Sequence, residues 1–398
     1  MASAELLKKL ANDVQQAVAA HVDSNDNTDY DNALSAIQRL QLAVERPGDF
    51  AARVRFQGLQ NTALVMLGEM GVLQAITSKN GKETTSAELS KETSSDELLI
   101  IRLLRLITAV GICDEIGVHT YRSNAMTEVL ASPGQQAGMR YMTDLQFHIA
   151  SKLRDFMRET QIHKGKPPPL TACEFAFGKS FWRILDENAE QRASFNEYMK
   201  AARRGGQVQL WYERYPPAAN ISYEDLKIGP EAVLMVDVGG GVGGQVGSFR
   251  KQYPDLPGRC ILQDLPDTIS KNSSPPANVE CMAYDFFTPQ PIKGARLYLF
   301  RSVCHDWDDE KSRELLSNTV DAMDPTYSRL LIDEWVLADS KVHLKAANMD
   351  INMMLMFNAI ERTKTQWERL LGDIGLEIVE IYSTPGAAEC VIETKRKT

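Results

Sequence analysis

The feature that most constrains this chain is a short apolar run that ends in a cluster of glycines past mid-chain. The run EAVLMVDVGGG covers residues 231–241, and the pattern G-x-G-x-x-G follows at Gly239, Gly241 and Gly244. Glycines at these positions let a strand turn tightly into a helix, so that the backbone can approach a bound ligand closely. The run therefore predicts the first strand and turn of a nucleotide-type cofactor domain, and the turn suits NAD and S-adenosylmethionine equally well.

Further apolar runs follow this turn and alternate with helical stretches. The helical stretches cover residues 308–323 and 364–374. The predicted strands are RCILQDLP, VECMAYDFF, ARLYLFRSV, SRLLIDEWVL and ECVIET. Strands that alternate with helices form a parallel sheet with helices on both faces. The predicted fold class is therefore α/β, with a doubly wound, Rossmann-like sheet in the C-terminal half.

The N-terminal half is predicted to be helical. Residues 3–22 and 30–46 are amphipathic, and residues 58–77 are more apolar than a surface helix requires. The next segment, TTSAELSKETSSDELLIIRLLRLITAVGICDEI, predicts two short helices, with Ser94 or Ser95 as the N-cap of the second. A predicted hairpin at HTYRSN completes a winged-helix pattern.

These patterns divide the 398 residues into three parts. Residues 1–135 form a winged-helix-like dimerisation domain, residues 136–220 an aromatic-rich helical linker, and residues 221–398 the cofactor domain. Because residues 58–77 and 98–112 are strongly apolar, we expect a homodimer formed through the N-terminal helices.

Composition narrows the class of protein. The net charge of −9 argues against binding to nucleic acid, and the six cysteines form no CxxC pair that would indicate a zinc cluster, so no metal is expected. The N-terminus mixes Lys, Asp and Gln into its apolar residues, and no apolar run approaches the roughly 20 residues that span a bilayer. We expect a soluble, cytoplasmic protein without a membrane partner.

Three acidic residues surround the predicted cofactor site. Asp264 ends the strand after the glycine turn, where a carboxylate accepts hydrogen bonds from ribose hydroxyls, and Asp285 follows the third strand. Asp237 lies just before the glycines, where its carboxylate can face the cationic amino-acid part of S-adenosylmethionine. No residue pattern indicates a nicotinamide site, so S-adenosylmethionine is the expected cofactor.

A histidine and a glutamate follow neighbouring strands of the same sheet. His305 comes after ARLYLFRSV and Glu334 ends SRLLIDE, so both are expected at the carboxyl edge, where such folds bind ligands. An imidazole that titrates near neutrality suits the removal of a proton from an oxygen nucleophile, and a carboxylate on its other nitrogen fixes the tautomer. The pair predicts a general base with its orienting acid.

In this order the motifs resemble those of the caffeate-type O-methyltransferases and related fungal enzymes that act on polyketide phenols. The series is VDVGGG, Asp264-Leu265-Pro266, Asp285-Phe286-Phe287, Cys304-His305-Asp306-Trp307, Asp333-Glu334 and Glu361-Arg362-Thr363. The resemblance implies a general base at His305, held by Glu334 and Glu361. It implies cofactor contacts at Asp237, Gly239, Gly240, Gly241, Asp264, Leu265, Asp285, Phe286 and Arg301, the last beside the adenine.

The resemblance also implies a planar, polyketide-like phenolic or enolic substrate and a set of substrate-side residues. These are His148, Ala172, Phe175, Phe195, Met199, Met349, Asn352, Met353 and Phe357. Two other functions remain open. Some fungal relatives are pericyclases that bind S-adenosylmethionine without transferring its methyl group, in which case His148 or Arg301 would act on the substrate. A winged-helix regulator is the third hypothesis, although its second helix carries only Arg102 and Arg105 as basic residues.

Overall fold

The computed structural model describes residues 2–24, 27–165, 168–205, 210–384 and 389–397. The chain divides into two compact units, one of Met1–Lys166 and Cys173–Val208, the other of Pro167–Ala172 and Gln209–Thr398. The predicted helix break GKPPPL, residues 165–170, lies partly outside the described residues.

The first unit is helical apart from a small sheet. Its helices are α1 (Ala4–Ser24), α2 (Asn27–Val44), α3 (Pro47–Glu69), α4 (Val72–Thr77), α5 (Ser86–Thr93), α6 (Glu97–Ala109), α7 (Ala125–Leu130), α8 (Pro133–Tyr141), α9 (His148–Thr160), α10 (Ala172–Phe177), α11 (Phe181–Glu187) and α12 (Ala189–Gly205). A π-helical turn, Met142–Phe147, joins α8 to α9, and a 3-10 turn follows at Ile162–Lys164.

The winged-helix pattern is present. The strands β1 (Thr84–Thr85), β2 (Asp114–Gly117) and β3 (Thr120–Arg122) form an antiparallel sheet in the order β1-β3-β2, beside α5 and α6. The predicted N-cap of α6 was wrong. Asp96 caps this helix through its bond to the Leu99 amide, whereas Ser94 adopts a left-handed conformation at the end of α5. Asp96 lies three residues before Leu99, the position from which a side-chain oxygen can accept a free amide of the first turn.

The apolar segment 58–77 is two helices rather than one. Gly71 between α3 and α4 has φ of +73°, which a right-handed helix does not contain. Most apolar side chains of this segment and of 98–112 form the core of their own unit. Core members include Leu64, Leu67, Leu73, Ile76, Ile100, Leu104 and Ile107. Twelve exposed large apolar side chains lie nearer the N-terminus, on α1, α2 and α3 as far as Leu59, while others such as Leu98 and Val118 follow later in the chain.

The second unit is built on a seven-stranded sheet. Its strands are β4 (Val233–Val238), β5 (Arg259–Asp264), β6 (Glu280–Ala283), β7 (Leu297–Arg301), β8 (Arg329–Trp335), β9 (Leu376–Ser383) and β10 (Glu389–Arg396). The order is β6-β5-β4-β7-β8-β10-β9. The first five are mutually parallel, so the predicted doubly wound sheet is confirmed for this part.

The last two strands differ from the expectation of an all-parallel sheet. β10 is antiparallel to β8, and β9 is antiparallel to β10 at the sheet edge. β9 has no clear signal in the sequence, because Glu377 and Glu380 interrupt the apolar residues of LEIVEIYS, as an exposed edge strand allows.

Helices cover both faces of this sheet. They are α13 (Trp211–Arg214), α14 (Pro217–Asn220), α15 (Gly244–Gln252), α16 (Pro266–Lys271), α17 (Asp309–Val320), α18 (Leu344–Phe357) and α19 (Lys364–Asp373), with 3-10 turns at Tyr223–Asp225 and Cys304–Asp306. One apolar layer joins the sheet to α17 and α19, and a second joins it to α13 and α15. Among the described residues, no helix has the length and apolar character that a bilayer crossing requires.

Candidate active site

The glycine turn after β4 has the backbone conformation that the sequence pattern predicts. Gly239, Gly241 and Gly243 have φ of +71°, +62° and +83°, which side-chain-bearing residues rarely adopt. A Cβ atom on Gly240 would come within 2.6 Å of both the Asp237 carboxylate and Leu262. The turn therefore requires glycine at Gly240 for space and at its neighbours for conformation.

Asp237 is a buried carboxylate at the base of this turn. It is 1% exposed, and neither carboxylate oxygen has a hydrogen-bond partner among the described residues. Burial raises the pKa of Asp237 to about 7, while the nearby Val246 amide and the charge of Arg301 lower it in part. An unpaired buried carboxylate is costly, so its oxygens are suited to a cationic or hydrogen-bonding ligand.

The two other acidic residues end neighbouring strands. Asp264 ends β5, and its oxygens accept the amides of Gly241 and Leu265, each at 2.8 Å. These bonds fix the carboxylate against the glycine turn and leave lone pairs on both oxygens. Asp285 follows β6 and accepts the Phe287 amide at 3.0 Å. All three acids therefore lie at the carboxyl edge of parallel strands.

His305 lies in the 3-10 turn Cys304–Asp306 that follows β7. The side chain of Glu334, near the end of the adjacent β8, fixes the backbone of this turn. Its Oε1 accepts the amides of Val303 and Cys304, both at 2.9 Å, and that of His305 at 3.3 Å. Glu334 thus binds the turn rather than only the imidazole.

The imidazole itself is surrounded by carboxylates. Nδ1 of His305 lies 3.1 Å from Glu361 Oε1 and 3.8 Å from Glu334 Oε2, and Nε2 lies 3.6 Å from Asp306 Oδ1. Burial lowers the pKa of His305, but the charge of Glu334, the hydrogen bond to Glu361 and the charge of Asp306 outweigh it, so that its pKa is raised. Burial has the opposite effect on the carboxyl of Glu334: it raises the pKa, while the charge of His305 lowers it in part.

The glycine turn and the histidine turn meet. A Cβ atom on Gly239 would lie 2.9 Å from the Val303 side chain and 3.6 Å from the Phe286 ring. Val303 is two residues before His305, and Phe286 follows Asp285. Residues that follow the ends of three strands, β4, β6 and β7, therefore meet at Gly239.

His305, Glu334 and Glu361 are also close enough to bind a metal ion together, since one ligand atom from each lies within 4.8 Å of the others. Glu334 Oε1 already accepts three backbone amides, and Glu361 Oε1 holds His305 Nδ1. These oxygens are therefore already used in hydrogen bonds. Glu361 Oε2 has no partner in the described part of the chain.

Arg301 ends β7, opposite Asp333 on β8. Its Nε lies 2.9 Å from Asp333 Oδ2, and Arg214 pairs with the other oxygen of the same carboxylate. In the sheet, β4 and β5 separate β7 from β6, the strand that precedes Asp285. The guanidinium of Arg301 is therefore held in an ion-pair network beside Asp237 and Asp333.

The predicted substrate-side residues lie in both units. Met349, Asn352, Met353 and Phe357 are on α18, which contacts the turn that carries His305. Met353 is buried, and the other three are half-buried. Ala172 is buried at the start of α10.

The remaining four residues belong to the first unit. Phe195 packs against Tyr141 and Phe181, with ring centroids 5.5 and 5.3 Å apart, and Met199 follows on the same helix. Phe175 packs on Phe156. His148 is exposed, directly after the π-helical turn, with Nε2 3.3 Å from the Ala176 carbonyl. Their roles toward a substrate stay predictions.

Arg362 lies beside the cluster of His305, Glu334 and Glu361, and no role for it was predicted from the sequence. This arginine is buried, and it binds the backbone of the histidine turn and the carboxylate of Asp309. The only sequence signal is its position directly after Glu361, since an arginine within a buried motif needs several acceptors.

Comparison with known proteins agrees with this geometry. The sequence profile of the O-methyltransferase domain matches residues 152–377. Methyltransferase cfoC of Aspergillus candidus is 32% identical over 369 residues, which cover 91% of this chain and 90% of that protein. Demethylsterigmatocystin 6-O-methyltransferase of Aspergillus parasiticus is 32% identical over 365 residues, covering 90% of this chain and 92% of that protein.

Solved structures show the same fold. LepI, solved in complex with SAM, superposes with a TM-score of 0.79 at 26% identity and covers all of both chains. A structure described as a pericyclic reaction enzyme superposes with a TM-score of 0.78 at 26% identity, over 99% of this chain and 100% of the other. The expected cofactor, S-adenosylmethionine, is thereby confirmed at the level of the family. By profile, identity and coverage, the chain belongs to the O-methyltransferase domain family.

Proposed function

We propose that this protein transfers a methyl group from S-adenosylmethionine to a phenolic or enolic hydroxyl of a polyketide-like metabolite, with His305 as the general base. The observation that carries this proposal is the hydrogen bond between His305 Nδ1 and Glu361 Oε1 at 3.1 Å. This bond directs the proton of a neutral imidazole to Nδ1 and leaves the lone pair of Nε2 for the acceptor hydroxyl.

The residues around the glycine turn fit the cofactor. The unpaired, buried oxygens of Asp237 suit the cofactor's cationic amino-acid end, and the close approach at Gly240 leaves room only for backbone. The fixed carboxylate of Asp264 suits the ribose hydroxyls, with Leu265 beside it. Asp285 and Phe286 would border the adenine. Arg301 would border the adenine as well, with its guanidinium held by Asp333.

S-adenosylmethionine supplies an electrophilic methyl group on a positively charged sulfur when it is bound. The acceptor oxygen would take the methyl carbon as the carbon–sulfur bond breaks, and sulfur would keep the electron pair of that bond. His305 Nε2 takes the hydroxyl proton. Glu361 and Glu334 then stabilise the imidazolium, as the raised pKa of His305 indicates. On α18, Met349, Asn352, Met353 and Phe357 would provide an adaptable apolar surface for a planar acceptor.

A pericyclase is the second candidate. The full-length likeness to a pericyclic reaction enzyme at 26% identity supports it. The raised pKa of His305 supports it as well, because an imidazolium can protonate a leaving hydroxyl in a dehydration. In that case bound S-adenosylmethionine would be retained, and the substrate would rearrange or lose water.

Mass spectrometry of reactions with purified enzyme separates the two candidates. The reactions would contain S-adenosylmethionine and a panel of phenols, enols and pyridones of polyketide type. Methyl transfer adds one methyl group to the product and forms S-adenosylhomocysteine in equal amount. A product of unchanged mass, or one that has lost water, without formation of S-adenosylhomocysteine, would contradict methyl transfer and support the pericyclase.

We further propose that the protein is a homodimer. None of the residues of α1 is buried, and Val22, Val44, Phe56 and Leu59 are more than half exposed. Apolar side chains that are concentrated on consecutive helices indicate an interface between copies of the chain.

A further inference from the structure

Arg362 is a fully buried arginine, and each of the three nitrogens of its guanidinium donates a hydrogen bond. Its Nη1 donates to the Cys304 carbonyl at 2.9 Å, and its Nη2 donates to the Trp307 carbonyl at 2.9 Å and to Ser312 Oγ at 3.0 Å. Its Nε donates to Asp309 Oδ1 at 2.9 Å. An arginine can fix several acceptors at once because its donors form a rigid fork.

Two of these acceptors lie on either side of the catalytic residue. Cys304 and Trp307 flank His305 and Asp306, so one guanidinium binds both ends of the turn that carries the imidazole. The residue before Arg362 in the chain, Glu361, holds the Nδ1 atom of the same imidazole. Neighbouring residues thus bind the backbone and the ring of one catalytic segment.

The backbone of Arg362 is itself fixed to the strand that carries Glu334. The Leu337 amide donates to the Arg362 carbonyl at 3.0 Å, and the Lys364 amide donates to the Leu337 carbonyl at 3.0 Å. Leu337 lies two residues beyond the end of β8. The histidine turn, the Glu361 segment and β8 therefore form one hydrogen-bonded frame, with Arg362 at its centre.

We propose that Arg362 is a positioning residue that sets the distance between His305 and Glu361 by clamping the histidine turn onto the Glu361 segment. This inference rests on the proposed role of His305 as the general base. Without the clamp, the turn keeps its bonds to Glu334 but loses the backbone bonds that attach it to the Glu361 segment. Misplacement of a catalytic group by about 1 Å can cost on the order of 100-fold in rate.

The ring faces charged groups from each element around it. These are Glu334 on β8, Glu361 before α19 and Asp306 in its own turn, with Asp350 of α18 bound to the Glu361 amide. Loss of the Glu361 contact would lower the pKa of His305 toward its ordinary value. Arg362→Met also removes a positive charge, whereas Arg362→Lys keeps it. A lowered pKa of His305 in both variants therefore isolates the positional effect.

The test combines kinetics with a direct titration of His305. The protein has six histidines, and ¹³C-labelled histidine gives one NMR resonance for each, with His305→Ala assigning the resonance of interest. We expect Arg362→Met to lower kcat by about 10- to 100-fold with an unchanged Kd for S-adenosylmethionine, and to lower the pKa of His305. Arg362→Lys should lower both quantities less. Arg313→Met is the matched control, because Arg313 on α17 forms an exposed ion pair with Asp373.

Two outcomes would overturn the proposal. In one, kcat falls only in proportion to the folded fraction while the pKa of His305 is unchanged, which is the result of a purely structural arginine. In the other, Arg362→Lys matches the wild type in both measurements. If Arg362→Met does not fold, Arg362→Lys alone decides. Failure of the base assignment would appear separately, as full turnover by His305→Ala.

Discussion

The imidazole of His305 and the carboxylate of Glu361 are joined by a 3.1 Å hydrogen bond between residues 56 positions apart in the chain. Glu361 is almost entirely buried, so this bond is shielded from water. Charged hydrogen bonds in such surroundings are stronger than exposed ones. The bond is therefore suited to hold the ring in one tautomer and orientation.

Removal of the imidazole should abolish most turnover without affecting the cofactor. We expect His305→Ala to lower kcat by about 10²–10⁴-fold, because the acceptor hydroxyl loses its base, and to leave the Kd for S-adenosylmethionine unchanged. Glu334→Gln and Glu361→Gln should each cost less, and either combined with His305→Ala should add little. Steady-state kinetics and titration calorimetry measure both quantities. His163→Ala, at an exposed histidine, is the control.

The pH dependence of turnover should follow the raised pKa of His305. Since only the neutral imidazole accepts a proton, kcat should rise with pH, with a midpoint above the ordinary histidine value of 6.5. Glu361→Gln removes a hydrogen bond that raises this pKa, so its rising limb should shift to lower pH. A wild-type midpoint below 6.5, or a shift of the variant to higher pH, would contradict the assignment.

The parts of the fold and site that the sequence predicted are those with a local signal. The apolar run before Gly239 and the acidic residues at the ends of the following strands each reflect a requirement of their own position, and they appear where expected. The edge strand β9 has no such signal, because solvent exposure allows charged residues at Glu377 and Glu380. The break at Gly71 has no such signal either, because a glycine can also occur within an apolar helix, and the positive φ that ends the helix is visible only in the structure.

Arg362 could not be assigned a role from sequence, because no motif or local pattern indicates its partners. Arg362 binds Cys304 and Trp307, more than 50 positions away, and only the fold brings them together. Arg301 follows the same logic. Strand pairing sets it opposite Asp333, and its predicted place beside the adenine stays a prediction. Pairing between strands, rather than residue type, decides which acid an arginine meets.

The proposed dimer predicts twice the mass of the chain in light scattering at micromolar concentration. Replacing Phe56 and Leu59 on α3 with serine should shift the mass toward the monomer, because both side chains are more than half exposed and apolar. Ile228→Ser in the other unit removes an exposed apolar side chain outside the N-terminal helices and should leave the mass unchanged. A wild-type monomer would contradict the dimer.

Asp264 should contribute strongly to cofactor affinity. Its carboxylate is fixed by the amides of Gly241 and Leu265, so it can accept ribose hydroxyls without first being ordered. We expect Asp264→Ala to weaken S-adenosylmethionine binding by roughly 10- to 100-fold, the range for hydrogen bonds to a charged group. Titration calorimetry measures the effect, with Asp267→Ala as a control at an exposed ion pair. Unchanged affinity would remove the ribose assignment.

Asp237 should lower stability while it supports binding. In the unfolded chain its carboxyl loses its proton near pH 3.8, whereas in the fold burial holds the pKa at about 7. The folded state binds more protons between these values, so the free energy of unfolding falls as pH rises across this interval. Asp237→Asn removes the buried charge and should therefore raise the free energy of unfolding at pH 8 by about 1–3 kcal/mol.

The gain from Asp237→Asn should be absent at pH 4, where the native carboxyl is protonated, and thermal unfolding at the two pH values measures it. The same variant should bind S-adenosylmethionine more weakly, because a neutral amide attracts the cofactor's cationic end less than a carboxylate does. Asp255→Asn, at an exposed acid, controls for the change in net charge. Loss of stability at pH 8 would show that Asp237 already has a partner in the free protein. Unchanged affinity for the cofactor would contradict the assignment of Asp237 to its cationic end.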